Sequence, residues 1–153
     1  YAFKPAPYPT SRDLIKRLRA EAASEHQQLI SDLFEKITLY DLKVTGGRTR
    51  RLADGKWNVA IDVEARKLYA DEKGAETEAS LNDAIDIGVF AAEPGKPGFT
   101  EEGVLYLQRQ QVSSGKHTLN VVVEQEPKFI GFDPYNKYVD RYPEDNLRSL
   151  ADQ

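Results

Sequence analysis

Cysteine and methionine are both absent from the 153 residues, histidine occurs twice and tryptophan once. Without cysteine there is no disulfide, no thiolate nucleophile and no thiolate zinc site. The compartment stays open, because an oxidising one permits cystines without requiring them. No apolar run approaches the ~18–20 residues of a membrane span, so no direct membrane insertion by this chain is expected. No signal peptide is visible. The start at Tyr1, with Met missing throughout, predicts an internal fragment of a larger protein. Basic charge is not in excess either: the net charge is −4. A nucleic-acid partner requires a cationic face to release counterions. The basic residues are dispersed except for Arg48, Arg50 and Arg51, which read as the wet face of a strand. No nucleic-acid partner is therefore expected. What is present is ordinary for a soluble globular protein, with 40% hydrophobic and 30% charged residues. The length suffices to bury a core without staples.

The pattern changes along the chain. Proline at alternate positions over residues 4–9 predicts a stiff, extended linker from an upstream domain. Thr10 with Asp13, and Ser24 with Gln27, resemble capping boxes. Behind them Leu14, Ile15, Leu18 and Ala22, then Leu29, Ile30, Leu33, Phe34 and Ile37, make apolar stripes of helical period. Helices are predicted over about 11–22 and 25–36, packed as a hairpin or on the next layer. Beyond Leu39 the period falls to two: Trp57, Val59, Ile61 and Val63 alternate with more polar residues. Ile85, Ile87 and Val89 repeat the alternation, as do Leu105 with Leu107, and Leu119, Val121 and Val123. Turn signals separate them at Asp54-Gly55, Lys73-Gly74, 94–98 and Ser114-Gly115. The prediction is a mainly β fold: an antiparallel β-sandwich of immunoglobulin or fibronectin type, preceded by two short α-helices. No crossover helices interrupt the strands, which argues against a parallel sheet. The predicted organisation is linker 1–9, helical pair 10–37, sandwich 38–128, and a C-terminal strand with packed tail of the same domain over 129–153.

Catalytic patterns are scarce. His26 and His117 lie in different elements, and neither belongs to a His-Glu-x-x-His zinc pair. Ser113 and Ser114 near His117 fall in what reads as a hairpin turn, where turn chemistry explains them. No nucleophile elbow, phosphate loop or dinucleotide fingerprint occurs. The tail holds Asp133, Asp140 and Asp145 with Asn136 and Asn146, oxygen donors of the kind calcium takes. Their spacing is not that of an EF-hand. The plainer alternative is that Asp133 caps its Asp-Pro turn, and Asp140 pairs with Arg141 or another cation.

Three stretches carry a resemblance: Pro7-Tyr-Pro-Thr-Ser11, Asp32-Leu-Phe-Glu-Lys-Ile-Thr-Leu-Tyr-Asp41, and Gly131-Phe-Asp-Pro-Tyr-Asn-Lys-Tyr-Val-Asp-Arg-Tyr-Pro-Glu-Asp-Asn146. Together they resemble the C-terminal end of bacterial aminopeptidase N-like zinc metallopeptidases fused to ABC-transporter permease segments. The resemblance implies a membrane-associated parent, with this module on the extracytoplasmic, periplasmic side. It implies zinc in an upstream peptidase domain, no cofactor in this fragment, and that domain as the partner. The family's zinc motif is missing here, so the resemblance carries over no catalytic or metal residue. Its closing stretch matches Asp133, Pro134, Tyr135, Asp140 and Arg141. With Asp145 and Asn146 these are structural or interface candidates. The expected function is that of a non-catalytic accessory domain supporting or shaping the catalytic domain. The alternatives are a peptide- or carbohydrate-binding sandwich and a calcium-dependent adhesion domain.

Overall fold

The computed structural model describes residues 8–151. Most of the predicted linker, and the last two residues of the tail, lie outside the described residues. Thr10 opens α1 (Ser11–Glu21) with a reciprocal capping box, its hydroxyl accepting the Asp13 N–H and the Asp13 carboxylate accepting the Thr10 N–H. The Ser24–Gln27 box does not form. Ser24–His26 make a 3-10 turn with no side-chain cap. The Gln27 amide instead donates to the carbonyls of Arg19 and Ala22, satisfying groups that a helix C-terminus leaves unpaired. Helix α2 (Gln27–Phe34) follows, with Ile30 and Asp32 buried. No residue of α1 is fully buried, and its main packing is on α2. Arg19 ties the pair, donating to Gln27, Ser31 and Glu35.

Eight strands come next: β1 (Ile37–Arg51), β2 (Trp57–Ala70), β3 (Glu76–Ala79), β4 (Asn82–Phe90), β5 (Val104–Ser113), β6 (Gly115–Val123), β7 (Phe129–Phe132) and β8 (Leu147–Ser149). β2 is the spine of the first sheet. One edge pairs with β1, and the other with β6 along Trp57–Ala65 and then with β3 along Lys67–Ala70. The second sheet runs β5-β4-β7-β8. All these pairings are antiparallel. The fold is thus mainly β and sandwich-like, with two helices at its start. Among the described residues no helix is long and apolar enough to cross a membrane.

The core lies between the sheets. Val59, Ile61 and Val63 of β2 are sealed, with Trp57 partly buried at the strand's start. They meet Ile85, Ile87 and Val89 of β4 and Ile130 and Phe132 of β7. Gly55, at φ +88, turns the β1–β2 hairpin as Asp54-Gly55 predicted. Ser114-Gly115 behaves differently from the expected hairpin turn. Ser113 pairs with Asn82 in the second sheet, whereas Gly115 pairs with Ala65 in the first. The chain rounds a corner between sheets there, with Gly115 at φ +108. A glycine signals a sharp change of direction, but not which sheet receives the next strand.

Candidate functional site

The tail residues singled out by sequence form a strap across both sheets. Asp133 is buried at φ +51. Its carboxylate accepts the N–H groups of Lys137 (3.1 Å) and Tyr138 (2.9 Å), while its own N–H donates to the Asp86 carbonyl. Burial pushes its carboxyl above the ordinary value, against those two donors. Pro134 then lies over paired Gly88 and Gly131 on β4 and β7. A Cβ at Gly131 would stand 2.6 Å from that of Pro134, so the two glycines make the flat seat the ring occupies. Tyr135 stands edge-on to Phe90 and stays partly exposed. Tyr138 packs on Tyr40 with ring centroids 4.6 Å apart, and its hydroxyl donates to the Ala84 carbonyl.

The strap next reaches the first sheet. Tyr40 N–H donates to the Val139 carbonyl and Arg141 N–H to the Tyr40 carbonyl, a one-residue parallel bridge on the edge of β1. Asp140 accepts the N–H groups of Leu42 and Tyr142. It does not pair with Arg141, whose guanidinium binds Glu76 of β3. The expectation failed because adjacent side chains point apart once the backbone is pinned to β1. Asp145 pairs with Lys43 at 3.4 Å, with burial raising its carboxyl despite that cation. Asn146 is buried and its side-chain amide donates to Asn136. β8 finally returns the chain to β7. Both carboxylate oxygens of Asp133, and both of Asp140, are engaged by backbone donors. Asp145 Oδ1 and Asn146 Oδ1, by contrast, are buried without a hydrogen-bond partner among the described residues.

A second cluster was missed by sequence reasoning. Lys67 is 1% exposed at its side chain. Its ammonium binds Asp32 of α2 and, at 3.1 Å, Asp83 of β4. Tyr69 donates to Asp32 at 2.8 Å and Tyr40 to Asp83 at 3.0 Å. The Gln28 amide closes the ring onto Asp32 and the Tyr69 hydroxyl. Burial opposes the charge on both partners, but the hydrogen bonds outweigh it. Asp32 is held below the ordinary carboxylate value and Lys67 above the ordinary lysine value. Burial and the neighbouring Asp83 push the Tyr40 phenol far up. Two carboxylates within reach thus hold Lys67 as an ammonium in this network. A readable signal existed: Lys67 continues the inward phase of Trp57, Val59, Ile61, Val63 and Ala65, and Asp83 that of Ile85 and Ile87. Opposite charges on the core phase of two strands announce a buried pair.

Above this cluster lies an open cleft of about 800 Å³ between the helical pair and β4–β5, lined by Gln28, Tyr69, Asn82, Asp83, Arg109 and Gln111 among others. Its walls are polar and of both signs, suited to hydrogen-bonding a small polar molecule. His26 lies on the rim. His117, on β6, is not among its lining residues and donates to the Ser113 carbonyl. The histidines and serines are not brought into one nucleophilic array. Leu29 is exposed on the cleft lining, and outside the cleft Leu14, Leu18, Leu33, Phe34 and Ile37 are exposed along the helical pair and the first residue of β1. No family model, no curated protein and no solved structure matches this chain.

Proposed function

We propose that this chain is a non-catalytic accessory domain of a larger, membrane-associated protein of the zinc aminopeptidase kind. In that reading it sits on the periplasmic side of a bacterial membrane, with its partner the peptidase domain of the same protein. The observation that carries the reading is the apolar surface of the helical pair. No residue of α1 is fully buried within the domain, and Leu33 is 65% exposed. Covering a leucine, isoleucine or phenylalanine is worth about 1.5–3 kcal/mol each, so this surface has much to gain from a neighbour. The resemblance of the three quoted stretches supplies the neighbour's identity.

The test is binding in trans to the peptidase portion encoded upstream in the natural gene. Wild-type chain should bind it, and Leu14→Asp with Leu33→Asp should abolish binding with the thermal midpoint unmoved. No binding by folded wild-type chain would sink the proposal. The isolated chain should also hydrolyse no aminoacyl substrate; saturable activity co-eluting with it would overturn the non-catalytic reading.

The polar cleft favours one second reading, a binding module for a small peptide or saccharide. Titration with short peptides and oligosaccharides, read by amide shifts of Gln28, Asn82 and Gln111, separates the two.

A further inference from the structure

The strand edges of this molecule are treated unequally. β1 is interrupted by a bulge between Val44 and Gly46, bridged by the strap at Tyr40, and carries Arg48, Arg50 and Arg51. β3 is four residues long and carries Glu76 and Glu78. β8 has three residues. β5 is kinked where its register with β4 shifts at Val89/Phe90, and it carries Arg109. Bulges, charges, shortness and covering segments are the devices by which sheets refuse further strands. β6 has almost none of them. It pairs with β2 over nine residues without a register shift. Among the described residues β2 is its only strand partner. Its sequence Gly-Lys-His-Thr-Leu-Asn-Val-Val-Val holds no proline and one charge, Lys116.

We propose that the free edge of β6 pairs antiparallel with β6 of a second copy, making one continuous sheet across a two-fold axis centred on Asn120. Charge selects this register. With Asn120 facing its own copy, Lys116 stands opposite Glu124 of the partner subunit, at both ends of the ladder. Both side chains are largely exposed, 77% and 76%. Each would share an ion pair that it already holds in its own chain, Lys116 with Glu64 at 3.9 Å and Glu124, one residue past β6, with Lys56 at 2.6 Å. Thr118 faces Val122 of the partner subunit on the outer side, where Val122 is otherwise half in water. Leu119 faces the partner subunit's Val121 on the inner side. The match keeps outward residues with outward and inward with inward, as a pleat demands. A two-fold axis perpendicular to the sheet also leaves both second sheets on the same side. The contact is isologous and closes on itself. Its area is that of one strand edge, so the dimer is a weak and reversible one.

Sedimentation velocity on the 153-residue chain over a concentration series tests this. Wild type should show a reversible monomer–dimer equilibrium. Lys116→Glu and Glu124→Lys should each weaken it by roughly tenfold, since cross-strand charge pairs turn from attraction to repulsion. The double swap should restore dissociation to within about threefold of wild type. Hydrogen exchange should slow at β6 amides as concentration rises. Monomer at every concentration up to about 1 mM overturns the proposal and leaves the edge to a strand from a different protein. A dimer indifferent to the swaps, or unrestored by the double variant, overturns it too. Thermal midpoints of the variants establish that loss of dimer is not loss of fold.

Discussion

Lys67 shows how a single side chain can join three elements. It sits on β2, binds α2 through Asp32, and binds β4 through Asp83. Removing one partner of a buried ion pair leaves an uncompensated charge, at a cost of about 3–5 kcal/mol. Lys67→Met should therefore destabilise the domain strongly in urea unfolding, and Lys67→Met with Asp32→Leu and Asp83→Leu should recover much of the loss. A triple variant no better than the single one would show that the network does more than neutralise itself. The same ions set a pH window. The folded Asp32 carboxyl lies below its ordinary 3.8, so its contribution is present above that value and is lost as pH falls through the folded value. The folded Lys67 ammonium lies above its ordinary 10.5, so its contribution is complete below that value and is lost as pH rises through the folded one. Protection factors of α2 amides, corrected for the intrinsic pH dependence of exchange, should thus be high between the ordinary values of 3.8 and 10.5 and fall beyond the folded values at both extremes. Ile61 is an apolar counterpart, fully buried on the same strand; Ile61→Ala should cost about 2–5 kcal/mol by thermal or chemical melting. Its burial was legible from alternation alone. The lysine two positions past Ala65 was equally legible in phase, but its partners lie on elements distant in sequence, which periodicity does not connect.

At the scale of elements, the two helices are not equivalent. α1 is held by a capping box and by Arg19, with no residue fully buried. α2 carries Ile30 and Asp32 into the molecule. Deleting residues 1–22 should lower the thermal midpoint by a few degrees at most, whereas deleting residues 1–36 should lower it much further by stranding Lys67. Equal effects would mean that α1 supports the sandwich directly. The helical period was readable; its destination was not, because exposed and buried stripes look alike in sequence. The strap has a similar history. Asp133-Pro134 announced a turn, and the aromatics after it announced packing. The seat formed by Gly88 and Gly131 depends on a pairing between β4 and β7 that no local pattern reveals. Gly131→Ala should lift Pro134 and speed hydrogen exchange over 133–141 with little change in β2. In the wild type those amides should be protected without calcium; protection appearing only with calcium would favour the metal reading of the tail.

The whole molecule is a sandwich whose sheets are not built in chain order. β1 to β3 start the first sheet, β4 and β5 start the second, β6 goes back to the first, and β7 and β8 complete the second. Alternation and turn residues sufficed for a mainly β, antiparallel, sandwich-like fold after two helices. They did not reveal the crossing at Ser114-Gly115, because register and sheet membership are tertiary facts. The strap binds both sheets, through Gly88 and Gly131 on one and Tyr40 and Leu42 on the other. During synthesis, residues emerge from the ribosome in order, at about 5–20 per second. At one stage of translation the first six strands are out while residues 129–149 are still in the tunnel. The nascent chain then exposes a raw edge on β1 and a bare glycine seat on β4, both of which invite foreign strands. A chain released at residue 128 would be left in that state, and is expected to aggregate in cell extracts where the 153-residue chain remains in solution.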